Sequence, residues 1–221
     1  KRTRQSHKEK QNPLERRKKQ ADLDMLEVAA AAGEIDLFFQ DESGCCQWSE
    51  VGYSLFFRGE QKRQEQTKTR GKRLSIMGLW QPLVQFVYSL VLGSFKSEDF
   101  ICLMDAQAEA AQKAGRIRVN VVDNGPIHTS KIVKEKIEEW ESKGLFLFFI
   151  PPYCYEMNDI ELEWQHLKRD ELCGQMFETE SELACHVIWG LENRGEEAGH
   201  TVDFAVSYTH RRCRRLGMCR S

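Results

Sequence analysis

Three carboxylates in this 221-residue chain stand where their chemistry could be shared: Asp41, Asp123 and Glu161. Asp41 follows Ile35-Asp36-Leu37-Phe38-Phe39-Gln40, an apolar run that reads as a strand. Asp123 follows Arg116–Val122, where alternation gives way to adjacent valines, as in a strand buried on both faces. Gly125 and Pro126 break that strand, and Thr129 or Ser130 can cap a helix expected from Lys131 to Ser142. Glu161 falls in the first turn of a helix expected from Ile160 to about Leu172, with Asn158 or Asp159 as its cap. Open α/β sheets place their ligands at the carboxyl ends of their strands. Carboxylates gathered there repel one another, and without a cation at least one holds a proton. A pair of Mg²⁺ ions resolves that repulsion, because magnesium favours a few carboxylates together with phosphate oxygens. Two such ions about 3.5–4 Å apart can activate a nucleophile and stabilise the leaving oxygen of a phosphodiester.

Residue types leave the third ligand open. At ~100° per residue, Asp159 and Glu163 each lie about 160° around the helix from Glu161. Only one face can look into the site. Trp164 and Lys168 share the face of Glu161, so Trp164 is placed to buttress it. The pair Asp159 and Glu163 remains the geometric alternative.

The elements that must position these groups follow from pattern. Pro13 suits a helix start, and Leu14, Ala21, Met25, Val28 and Ala32 form a rough helical stripe that Gly33 closes. After the first strand, Val51–Phe57 reads as extended, followed by a loop carrying Arg58, Lys62, Arg63, Lys68, Arg70, Lys72 and Arg73. Leu74–Trp80 and Val84–Leu92 read as a hairpin turned at Gln81-Pro82. A helix runs from a Ser97 cap to Gly115. The Asp123 strand follows, then a helix, then Leu145–Ile150 as a doubly buried strand stopped by Pro151-Pro152. A last helix is expected over Ser181–Asn193. Hairpin and right-handed crossovers combine into one mixed sheet flanked by helices. Residues 1–33 read as a basic arm and linker helix, 34–195 as the main domain, and 196–221 as a basic, poorly ordered tail.

Charge is unevenly spread. Residues 1–20 hold nine Lys or Arg against two Glu, a net +7, while the whole chain carries only −2. A basic arm on an acidic body points to an anionic polymer as partner. The eight cysteines include no C-x-x-C pair, and several lie in apolar runs. Reduced thiols in an intracellular protein are therefore expected. No apolar run is long enough to span a bilayer.

The blocks Phe38-Phe39-Gln40-Asp41-Glu42-Ser43-Gly44, Val121-Val122-Asp123-Asn124-Gly125-Pro126-Ile127-His128, Pro151-Pro152-Tyr153 and Asn158-Asp159-Ile160-Glu161-Leu162-Glu163-Trp164 occur in that order. Together they resemble the catalytic domain of Tc/mariner-related bacterial insertion-sequence transposases, DDE enzymes of the retroviral-integrase superfamily. The resemblance runs from about Lys1 to Asn193 and includes Arg70-Gly71-Lys72-Arg73. It implies an RNase H-like mixed five-stranded sheet flanked by helices. It assigns Asp41, Asp123 and Glu161 as catalytic ligands of two Mg²⁺ (or Mn²⁺) ions. It implies cleavage at element ends, strand transfer into target DNA, a homodimer on DNA, and a cytoplasmic, nucleoid-associated protein with no membrane partner. Arg70, Lys72, Arg73, His128 and Lys168 are the candidate DNA contacts. The family also carries N-terminal helix-turn-helix modules, and Lys1–Lys10 resembles the seam that follows them. Departures are Asp159 where the family usually has Pro, Tyr153-Cys154-Tyr155-Glu156-Met157 for the commoner Tyr-Ser-Pro-Glu-Leu, and the ending after about Phe204. Two other classes fit the same residues: a catalytically decayed DNA-binding protein, and an RNase H-like nuclease acting on RNA–DNA hybrids.

Overall fold

The computed structural model describes residues 8–48 and 70–205. The expected strand at Val51–Phe57 and the basic residues Arg58, Lys62, Arg63 and Lys68 lie outside those residues, as do residues 1–7. The described strands are β1 (Asp36–Cys45), β2 (Leu74–Gln81), β3 (Gln85–Leu92), β4 (Arg118–Val122), β5 (Leu145–Phe149) and β6 (Thr201–Phe204). They form one six-stranded sheet in the order β5-β4-β1-β2-β3-β6. The helices are α1 (Pro13–Ala31), α2 (Ser97–Ala114), α3 (Lys131–Lys134), α4 (Ile137–Ser142), α5 (Ile160–His166) and α6 (Glu180–Ala198). Five strands were expected. The sixth, β6, forms within the segment read as tail and pairs parallel with β3, Gln85 opposite Thr201 and Tyr88 opposite Phe204. No helix among the described residues is long and apolar enough to cross a membrane.

The chain divides into two compact units. The first comprises Lys1–Asp41, Leu79–Gln81 and Lys96–Glu161. Its centre is β4, whose five residues are all buried, as the paired valines require. β4 pairs parallel with β1 on one side and with β5 on the other. α2 presents Phe100, Leu103, Met104, Ala108 and Ala111 as its buried face. Its start differs from expectation: Lys96 is the cap residue, and its N–H donates to Asp99 Oδ2 at 2.9 Å. Trp140 of α4 is fully buried, and its Nε1 donates to Asp105 of α2 at 2.8 Å. The helix expected over 131–142 is two short helices, because Lys136 N–H turns back to Val133 O and tightens the chain between them. Ser130 is the cap position of α3, but its hydroxyl makes no cap bond.

In α1, Asn12 caps Leu14 and Glu15, and Pro13 opens the helix. The expected stripe does not face the core. Leu14, Met25 and Val28 are 64%, 73% and 71% exposed, and the helix is anchored instead through Leu23. Leu23 lies on the stripe's opposite side, with Arg16 one helical repeat before it pairing with Glu156 at 3.1 Å.

The second unit comprises Glu42–Gly78, Pro82–Phe95 and Leu162–Ser221. Thr179 caps α6 by accepting from Glu182 N–H, and Gly199 closes it at φ 73°. α6 is longer than the expected 181–193. After His166 the backbone widens into a π-turn over Leu167–Glu171. Trp164 packs edge-on against Phe86 at 5.5 Å, over Gly78, where any Cβ would stand 2.7 Å from the indole.

Candidate active site

Asp41 and Asp123 are brought level by strand register. β1 and β4 pair in parallel from Asp36 with Arg118 to Phe39 with Val121, and Asp41 and Asp123 each stand two residues beyond the last of these pairs. Adjacent strands lie about 4.8 Å apart, and residues paired across a parallel ladder point to the same face. The two aspartates are thus carried at the same end of neighbouring strands, Asp41 within β1 and Asp123 one residue past β4.

Glu161 is tied to the same edge. Its N–H bonds to Asn158 O at 3.1 Å. The Asn158 side chain, expected as a helix cap, instead donates to the main-chain carbonyl of Gln40 at 2.8 Å. Gln40 immediately precedes Asp41, so the start of α5 is fastened to the strand that carries the first carboxylate. On the other side, Ile150 N–H bonds Val122 O at 3.0 Å, and Asn124 Nδ2 donates to Ile150 O. These links hold the loop after Asp123 against the end of β5. All three carboxylates belong to the first unit. No group of three acidic, His or Cys side chains among the described residues is gathered closely enough to grip a metal ion. The donors nonetheless suit a hard divalent cation: they are carboxylate oxygens only, and Asp123 is held ionised.

That ionisation has a structural cause. His128 Nδ1 lies 2.6 Å from Asp123 Oδ1, and Gly125 N–H donates to the same oxygen at 2.8 Å. The His128 bond is the main influence holding the Asp123 carboxyl below its ordinary value, with burial opposing it. Gly125 is needed for closeness, since a Cβ there would stand 2.8 Å from Asp123 Oδ1. Both donors use one oxygen, which leaves Oδ2 as the oxygen for a cation. His128 itself is 3% exposed and lies 4.5 Å from the Phe100 ring. It had been expected at DNA; buried there, it is placed to orient Asp123.

Of the two rivals of Glu161, one is occupied elsewhere. Glu163 is 4% exposed and is gripped by Arg194 through two bonds, 2.9 and 3.1 Å. Asp159 is exposed on the surface and lies near enough to Glu27 of α1 to join burial in raising that carboxyl. Trp164, expected to buttress Glu161, packs on Phe86.

Three of the expected DNA contacts converge in the second unit. Arg70, Arg73 and Lys168 line one cavity of ≈ 430 Å³ with Glu42, Cys45 and Cys46. Arg70 Nε lies 3.3 Å from Cys46 Sγ. Arg73 lies so close over Gly44 that a Cβ there would be 2.1 Å from its Nε. Gly71 sits at φ +66°, with Gln47 Oε1 1.9 Å from where a Cβ would stand. Side chains of neighbouring residues thus lie directly over the glycines of both blocks. Lys72 is anchored by its backbone N–H to Glu180 at 3.1 Å, and its side chain is outside the cavity lining. Asn158 and Arg194 were not singled out from sequence. Asn158 stood in a recognised block but read as a cap, and nothing near Arg194 marks its partner 31 residues earlier.

The family model for DDE superfamily endonucleases matches residues 36–184, more than half of the chain. No curated protein matches the chain. Among solved structures, the Mos1 transposase paired-end complex with left transposon end is similar over 90% of this chain and 64% of that one, at TM-score 0.59 and 16% identity. The Mos1 mariner paired end complex with Mn gives 90%, 64%, 0.59 and 15%. The catalytic domain of Mos1 mariner transposase is covered to 92% by 85% of this chain, at TM-score 0.54 and 13% identity. The chain spans 64% of the length of the first two. These likenesses show a shared RNase H-like fold. Asp41, Asp123 and Glu161, carried on the edge that β1, β4 and α5 build, all fall inside the matched stretch, and the chain belongs to the DDE superfamily endonucleases.

Proposed function

We propose that this chain is the catalytic part of a DNA transposase, cutting phosphodiester bonds at element ends and joining the freed 3′-hydroxyl to target DNA. The observation that carries the reading is the parallel pairing of β1 with β4, which carry Asp41 and Asp123 at the same end, with the start of α5 fastened beside Asp41 by the bond from Asn158 to Gln40. Asp41, Asp123 and Glu161 would hold two Mg²⁺ or Mn²⁺ ions. Bound there, such ions supply Lewis-acid activation of a nucleophile and of the leaving oxygen. The chain's own contributions are separate. His128 and Gly125 fix one oxygen of Asp123 and so aim the other. Arg194 withdraws Glu163, leaving Glu161 as the carboxylate of the α5 first turn that is not paired away. Arg70, Arg73 and Lys168 offer a cationic cavity for backbone phosphates flanking the cut, with Lys72 adding charge outside it.

The Mos1 complexes are described as a paired-end complex and a strand transfer complex. By likeness, two copies of this protein acting on two DNA ends are part of the reading, with residues 34–195 as the catalytic domain. The test is Mn²⁺-dependent nicking of supercoiled DNA by the wild-type chain and by Asp41→Asn, Asp123→Asn and Glu161→Gln. Loss in all three variants with the fold intact supports the proposal. Equal nicking by all four proteins would overturn it.

A further inference from the structure

We infer that Tyr153 is a base-stacking residue that takes an unpaired base at a DNA end, with Lys10 beside it for the adjoining phosphate. The inference rests on the DNA-cleaving reading above and adds a subsite to it. Pro151-Pro152-Tyr153-Cys154 is a tight turn closed by Cys154 N–H to Pro151 O at 3.2 Å. Tyr153 sits at its third position with φ 65°, and Leu83 is the other described non-glycine residue with positive φ. That position of such a turn normally takes Gly or Asn, because a Cβ there crowds the backbone. A bulky aromatic in that conformation costs stability, and a core residue would recover it through burial. Tyr153 is not a core residue, since it remains 38% exposed, so burial offsets that cost only in part. Backbone strain of this kind gathers at sites of function.

The surroundings give the ligand its chemistry. Lys10 Nζ lies 5.5 Å from the Tyr153 ring centroid. Gln11 Nε2 donates to Tyr153 O at 2.7 Å, which docks the end of the basic arm on the turn. Glu156, the nearest acid in sequence, is engaged by Gln11 and Arg16. Tyr155, two residues on, is 47% exposed. The turn begins just after Ile150, whose carbonyl is held by Asn124 beside Asp123, and its chain leads on to Glu161. An aromatic face and a cation are thereby presented on the loop between β5, whose end is held beside Asp123, and α5, which carries Glu161, all within the first unit. Bases inside a duplex stack on one another and hide their faces. An aromatic side chain gains only from a base that has left the stack, and stacking accepts any base. An end whose two strands are cut at staggered positions supplies such bases.

The experiment compares binding of two DNAs to the purified chain: a blunt duplex, and the same duplex with a short single-stranded overhang containing 2-aminopurine. Wild type is expected to prefer the overhang and to quench its fluorescence. Tyr153→Ala and Tyr153→Gly should lower that preference about tenfold, equivalent to ~1.4 kcal/mol, and abolish the quench. Tyr153→Phe should keep both. Tyr153→Gly should also melt no lower than wild type, because glycine accepts the positive φ, so lost binding cannot be lost folding. Unchanged preference in the Ala and Gly variants would overturn the inference while leaving DNA binding intact. Wild type without preference for the overhang would do the same. Wild type that binds neither DNA would overturn the DNA-cleaving reading, and this inference with it.

Discussion

Glu161 and Glu163 differ by two positions and have opposite employment. Glu163 is paired with Arg194, whereas Glu161 makes no ion pair among the described residues. Glu161→Gln should cut Mn²⁺-dependent nicking by more than the ~100-fold typical of changes one layer behind a metal, with an unchanged melting temperature. Glu163→Gln should do the reverse. It leaves the Arg194 guanidinium without its charge partner and should cost about 3 kcal/mol of stability in urea unfolding, the low end for broken buried pairs because Arg194 is 29% exposed. His128 works through Asp123. His128→Ala should weaken Mn²⁺ binding about 10–100-fold by calorimetry, because Asp123 loses the bond that fixes its orientation. The same residues show what sequence can carry. Asp123-Asn124-Gly125-Pro126 announced a strand end and a turn, since valine pairs, Gly and Pro act locally. The duty of His128 stayed hidden, because whether a histidine faces DNA or a carboxylate depends on Phe100, from α2.

Elements show the same division between local and distant causes. β4 was legible because both of its faces are buried and its sequence says so. α1 was legible as a helix through Pro13 and Gly33, yet its buried face was misjudged: a stripe of apolar residues cannot say which side the body lies on. β6 was missed because four residues of mixed character form a strand only when β3 offers an edge. The short α4 is held by charge as well as by Trp140. Glu139 meets Lys136 at 2.8 Å and Lys143 at 2.7 Å. Those two bonds, Lys136 first, hold its carboxyl down at about 2. A lowered folded-state value adds stability above the ordinary value of 4.5, and the addition disappears as pH falls toward 2. Melting between pH 5 and pH 2 should therefore fall more steeply for wild type than for Glu139→Gln. Parallel curves would show that the two lysines do not couple to folding.

Across the whole molecule, a net charge of −2 makes attraction to DNA a matter of placement. The cations of the Arg70–Arg73 block and Lys168 must work against an acidic body, so their contribution should be phosphate-directed and sensitive to salt. Arg70→Gln and Arg73→Gln should each reduce the slope of log affinity against log salt by about 0.9, and equally on unrelated sequences. A change confined to one DNA sequence would mean that these residues read bases. A long-reaching constraint on the start of α5 is the bond from Asn158 to the Gln40 carbonyl, spanning 118 residues of chain. Its acceptor belongs to the main chain, which every amino acid supplies. Position 40 can therefore drift without touching this bond, and no replacement at position 40 can compensate for losing Asn158. The two ends of the link carry unequal mutational risk. In a pool of random variants selected for cutting, position 40 should accept apolar residues that fit its buried space, while position 158 should return asparagine.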